Sequence, residues 1–205
     1  MKKIYGFLLI AFITFACSKS SSSDPFVPDP VDDGPVLIDP LTDVEMMDLV
    51  QRETFKYFWD YAEPNSKAAR ERYIPSNPNQ DQHVVTSGGT GFGLMAILVG
   101  IERGYITRAE AVTRLQTLLT FLENADRFHG AWSHWINGNN GSAIPFSNQD
   151  NGGDLVETSF VAQGLICIKE YFKNGSPAEV ELDNKADALW KGVEWDWYTK
   201  NENVL

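Results

Sequence analysis

Residues 92–101 read Phe-Gly-Leu-Met-Ala-Ile-Leu-Val-Gly-Ile. No charge interrupts the run, and Gly104 lies just beyond it as a stop signal. A helix of this composition, predicted from about Gly91 to Arg103, is apolar all round and needs neighbours on every side. A second mostly apolar stretch lies at 155–172, with Phe160, Val161, Ala162, Leu165, Ile166 and Ile168. Three other segments place their apolar residues on one side only. They run over about 43–62 (Val44, Met47, Val50, Phe55, Phe58), 108–125 (Val112, Leu115, Leu118, Leu119, Leu122) and 177 to about 193. Inner apolar helices alternating with outer amphipathic ones make a double-layered helical ring. The fold class is all-α with long loops, and the strand signal is confined to Val84-Val85 and Ile144.

Helix starts are marked by four capping-box patterns: Thr42-x-x-Glu45, Thr107-x-x-Glu110, Asp154-x-x-Glu157 and Ser176-x-x-Glu179. Pro177 strengthens the last. In a ring of this kind the inner helices run the same way, so the loops that precede them meet at one pole. Those loops are the unusual ones: His83 to Gly93, rich in glycine, and Asp126 to Gly153. Long loops without regular structure are usually functional, which puts a site at that pole.

The second loop carries Phe128, His129, Trp132, His134 and Trp135, then Asp150 and Asp154, with Glu157 just inside the next helix. Aromatic faces pack on the C–H faces of sugar rings, and carboxylates bond hydroxyls. A pair of carboxylates is also what glycoside hydrolysis needs. Capping alone would account for Asp154 and Glu157, and loop aromatics can form a small core of their own. Capping does not explain Asp150 or the Gly152-Gly153 turn.

Other chemistries find no support. Gly89-x-Gly91-x-Gly93 misplaces the third glycine of a dinucleotide fingerprint and lacks the strand–helix–strand unit around it. No phosphate loop is present, the Asn/Asp/Gly stretch does not follow EF-hand spacing, and His129 and His134 have no zinc-type partner motif. No metal and no cofactor is expected. The acid excess of 11 charges argues against a nucleic-acid partner. It rises to 13 if Lys2 and Lys3 leave with a leader.

Four strings in order, TSGGTGFGLMAILVG (86–100), ITRAEAV (106–112), RFHGAWSHWING (127–138) and GGDLVETSF (152–160), resemble the glucoamylase-like family of Bacteroidetes. Its characterised relatives are β-1,2-glucan hydrolases, grouped as glycoside hydrolase family 144. The resemblance runs from about Leu49 to Asn203. It implies an (α/α)6 barrel and hydrolysis of a glucan or related oligosaccharide by inversion with a water nucleophile. It places the family's acidic cluster on Asp150, Asp154 and Glu157, with Trp132 and Trp135 lining the cleft. His129, His134 and Phe128 are the further substrate-binding candidates. No residue supports a starch substrate.

About five of the barrel's twelve helices are legible, and the resemblance implies a further essential carboxylate beyond them. The chain thus reads as the N-terminal part of the barrel, expected to be inactive alone, to expose apolar helix faces, and to be monomeric when full length. The alternative reading is a non-catalytic glycan-binding surface lipoprotein.

The N-terminus reads as an export signal. Met1-Lys2-Lys3 is followed by an uncharged run, Ile4 to Ala16, too short for the roughly 20 residues that span a bilayer. Cys17 follows at once and can carry a lipid, although Thr14 departs from the aliphatic residue usual three positions before it. The expected organisation is a signal peptide at 1–16, a lipidated Ser/Pro/Asp-rich tether at 17–42 and the helical domain at 43–205. The serine after Cys17 favours the outer membrane. Cys167, with no partner left, is expected to be a buried thiol.

Overall fold

The computed structural model describes residues 40–200. The export signal, Cys17 and nearly all of the tether lie outside the described residues. Six helices and five short strands follow in the order α1 (Asp43–Trp59), β1 (Val84–Thr86), α2 (Ser87–Glu102), α3 (Arg108–Asn124), β2 (Arg127–Phe128), β3 (Ala131–Trp132), β4 (Trp135–Asn137), β5 (Ala143–Ile144), α4 (Leu155–Phe172), α5 (Pro177–Lys191) and α6 (Trp195–Tyr198). Among the described residues no helix is long and apolar enough to cross a membrane.

The inner and outer layers are as the hydrophobic pattern reads. Helices α2 and α4 pack on each other more extensively than any other pair, with α1 against α2 and α5 against both α3 and α4. They run parallel: Gly88 faces Glu157, Gly91 faces Phe160, and Leu94 faces Gly164. Leu94, Ile97, Val161, Leu165 and Ile168 are buried with Leu115, Leu118, Leu119 and Leu122 of α3 and Leu182 and Leu189 of α5.

One expectation needs correction. Helix α2 begins at Ser87, four residues before the expected Gly91, because Thr86 caps it by accepting the Gly89 N–H at 3.2 Å. Glycines are poor helix formers, yet here contact with α4 outweighs that preference. A Cβ on Gly91 would lie 2.6 Å from the Val161 backbone nitrogen, and one on Gly164 would lie 2.6 Å from the Gly91 carbonyl oxygen. The two helices cross at a point that has no room for a side chain. The apolar stripe of α1 is not buried along its length, in line with the expected exposure of apolar helix faces. Phe55 is buried, whereas Val44, Met47 and Val50 are exposed, as are Phe92, Val99, Val156 and Ile166 of the inner helices.

The crossing gives a test. Gly91→Ala gains about 1 kcal/mol of helix propensity. It also forces two backbones apart, an overpacking cost at the upper end of about 1–3 kcal/mol, which outweighs the gain. Thermal unfolding should show Tm lowered by several degrees, at roughly 2–4 °C per kcal/mol for a domain of this size. An unchanged or raised Tm would mean the crossing is looser than described.

The loop between α3 and α4 is more ordered than expected. Strand β4 pairs antiparallel with β1 and β5, with Thr86 opposite Trp135 and Trp135 opposite Ile144. Strands β2 and β3 form a separate hairpin. Strands β1 and β5 fall on the Val84-Val85 and Ile144 signal, whereas β2, β3 and β4 are two or three residues long with mixed aromatic and other side chains, so no alternating pattern announces them.

Candidate functional site

Strands β3 and β4 cross the N-terminal ends of both inner helices and bond to each. Ser87 donates its N–H to the His134 carbonyl at 3.2 Å and its hydroxyl to the Ser133 carbonyl at 2.8 Å. On the α4 side, Asp154 donates its N–H to the Trp132 carbonyl at 2.8 Å, and the Trp132 N–H is donated to the Thr158 hydroxyl at 2.9 Å. The two long loops therefore meet at one pole, where the acids lie.

The α4 terminus departs from its capping-box pattern in one respect that matters. The Asp154 side chain accepts the Glu157 N–H at 3.0 Å, as an N-cap should. In a full box Glu157 would return the bond to the Asp154 N–H, as Glu45 does to Thr42 and Glu110 to Thr107, at 2.9 and 2.8 Å. That donor is already taken by Trp132. The Glu157 carboxylate instead crosses to α2 and accepts the Gly88 N–H at 2.8 Å through Oε2. Among the described residues no donor is found on Oε1. Asp154 does the capping, and Glu157 is released from it.

Asp154 has a second bond. Its Oδ2 pairs with His134 Nδ1 at 3.0 Å. Asp150 joins them: one ligand-type atom from each of His134, Asp150 and Asp154 lies within 4.8 Å of the others, all half-buried. Among the described residues this is the one group that could share a cation. The same three side chains suit the hydroxyls of a sugar equally well. Around them stand Trp135 and the exposed Phe146, whose ring centroids are 4.8 Å apart, with Phe146 4.3 Å from His134.

Glu71 belongs to no motif in the sequence. Its N–H bonds the Val84 carbonyl, which places it on the sheet edge beside β1. Its carboxyl is held below the ordinary carboxylate range, first by hydrogen bonds from Arg72, then by the charges of Arg72 and His134. Its charge is paired with that of Arg72. Phe146 and Gly88 are the other unanticipated members.

The expected substrate aromatics divide three ways. Trp135 and His134 flank the acids. Trp132 does not line the cleft: it is fully buried, and its indole N–H is donated to the Leu122 carbonyl at 2.9 Å. A large apolar ring with a partnered N–H is a core residue. Phe128 and His129 belong to a separate cluster. His129 stacks on Trp197 at 3.7 Å, pairs with Glu194 at 2.9 Å, and has left-handed backbone, φ 46°. Tyr198 bonds the Phe128 carbonyl, and both approach Gly153, next to Asp154. Cys167 is free and half-buried.

The chain is 49% identical over 160 residues to the exo β-1,2-glucooligosaccharide sophorohydrolase (non-reducing end) of Parabacteroides distasonis, covering 78% of this chain and 22% of that protein. It superposes on the endo-β-1,2-glucanase from Chitinophaga pinensis, solved with sophorotriose and glucose, with a TM-score of 0.78 and 54% identity. That match covers 81% of this chain and 40% of the other. A β-1,2-glucanase structure from Parabacteroides distasonis matches with a TM-score of 0.73 and 47% identity, over 80% of this chain and 23% of that one. The chain thus spans less than half the length of each of these relatives. No family model matches it.

Proposed function

Since this chain is homologous to the β-1,2-glucan hydrolases, of the kind grouped as glycoside hydrolase family 144, we propose that it contributes the acidic wall of a β-1,2-glucan hydrolase site. Asp150, Asp154 and Glu157 are the acting carboxylates. His134 fixes the orientation of Asp154, and Trp135 and Phe146 offer aromatic faces to the sugar. The observation that carries this reading is the release of Glu157 from its cap. A carboxylate that only capped α4 would bond the Asp154 N–H; this one has an oxygen with no donor among the described residues.

The chemistry follows from the residue types. A carboxylic acid protonates the leaving oxygen while a carboxylate activates water on the opposite face of the sugar, which inverts the anomeric centre. No metal or cofactor is called on. The test is a linkage panel with the product of the complete gene, measuring reducing ends released from β-1,2-, β-1,3- and α-1,4-glucans. Release from the β-1,2 polymer and not from the α-1,4 polymer is expected. Equal or preferred release from starch would refute the linkage.

The N-terminus fits the same activity. The protein is held at the outer membrane by lipid on Cys17, at the start of the Ser/Pro/Asp-rich segment. Cys17→Ser should move the protein from the membrane to the soluble fraction and abolish labelling by radioactive palmitate. Unaltered membrane retention without label would reject the anchor.

A further inference from the structure

Three backbone donors open helix α2, and each has a different acceptor. Ser87 N–H goes to the His134 carbonyl, Gly89 N–H to the Thr86 hydroxyl, and Gly88 N–H to Glu157 Oε2. The first turn of a helix leaves such donors without intrahelical partners. Only the Gly88 donor is satisfied by a side chain from another helix. A Cβ at position 88 would stand 2.8 Å from the Glu157 Cδ and closer still to Oε2. The backbone at Gly88 is ordinary right-handed helix, and Gly88 is absent from the positive-φ positions. The three nearest atoms that an alanine Cβ would meet there all belong to the Glu157 carboxylate.

We propose that Gly88 is a positioning residue for Glu157. Its amide holds Oε2, and its missing side chain is what lets the carboxylate reach that amide. Oε1 is thereby presented in one orientation to the substrate. The inference deepens the reading of Glu157 as an acting carboxylate and rests on it.

Position 91 supplies a contrast within the same helix. There an added Cβ meets backbone, which cannot yield locally. At position 88 it meets the far end of a flexible side chain, which can swing aside without disturbing the helix crossing. The same substitution three residues apart should register in different measurements: stability at 91, turnover at 88.

The experiment compares wild type, Gly88→Ala, Glu157→Gln and the double variant in the product of the complete gene, with β-1,2-gluco-oligosaccharide as substrate. Gly88→Ala is expected to lower kcat about 100-fold, the scale of a displacement of about 1 Å in a reacting group. KM should stay within threefold and Tm within about 4 °C, and the double variant should be no slower than Glu157→Gln. A Gly88→Ala kcat within twofold of wild type overturns the inference. So does a variant that fails to fold, because the carboxylate is then not the part that moves. If Glu157→Gln itself keeps full turnover, the assignment of Glu157 fails instead, and the two failures are told apart.

Discussion

Trp132→Ala is expected to unfold the domain at moderate temperature rather than to weaken sugar binding alone. The side chain is fully buried, and its truncation leaves a cavity bounded by Leu122 and the α4 N-terminus, together with an unpaired Leu122 carbonyl. Such deletions cost about 3–5 kcal/mol. That is a large share of the roughly 5–15 kcal/mol that holds a typical domain together. Thermal or urea unfolding would measure it. Trp132→Phe retains most of the volume and loses the indole bond, so it should cost less than half as much. If Trp132→Ala kept its unfolding midpoint and lost only glycan affinity, the residue would line the cleft after all.

Glu157→Gln carries the largest expected effect on activity. The amide oxygen of glutamine can still accept the Gly88 N–H, so the link between α2 and α4 survives and Tm should change little. What disappears is the ability to carry a charge or transfer a proton. General acid–base groups contribute about 10²–10⁴-fold, and kcat should fall within that range while KM stays nearly constant. A loss confined to KM would make Glu157 a binding group. A glycan-binding protein without catalysis would show no turnover to lose and would bind equally well before and after.

Much of the fold is legible in the residues because helix signals are local. Helix α4 begins at Leu155 and ends at Phe172, as its apolar run and Asp154 predict. Helix α2 is misjudged at its start because glycine propensity is a local property. The reason for glycine, a backbone contact with Phe160 and Val161, lies about 70 residues away in sequence.

The candidate site follows the same rule. Asp150, Asp154 and His134 come together as their clustering in sequence suggests. Trp132 and Trp135 look alike in sequence, three residues apart, yet one enters the core and the other lies beside His134. The short pleat of β3 and β4 decides between them. Glu157 reads as half of a capping box, and only the capture of the Asp154 N–H by the Trp132 carbonyl releases it. No spacing rule contains that bond.

Under the proposed function, the acids gathered at the α2 and α4 termini break β-1,2-glucosidic bonds. Proton NMR of linear β-1,2-glucan incubated with the product of the complete gene tests it most directly. New reducing-end anomeric signals should grow as the internal anomeric signal declines, and neither should change with Glu157→Gln. A glucan that is bound yet unaltered by the wild-type protein would contradict the claim.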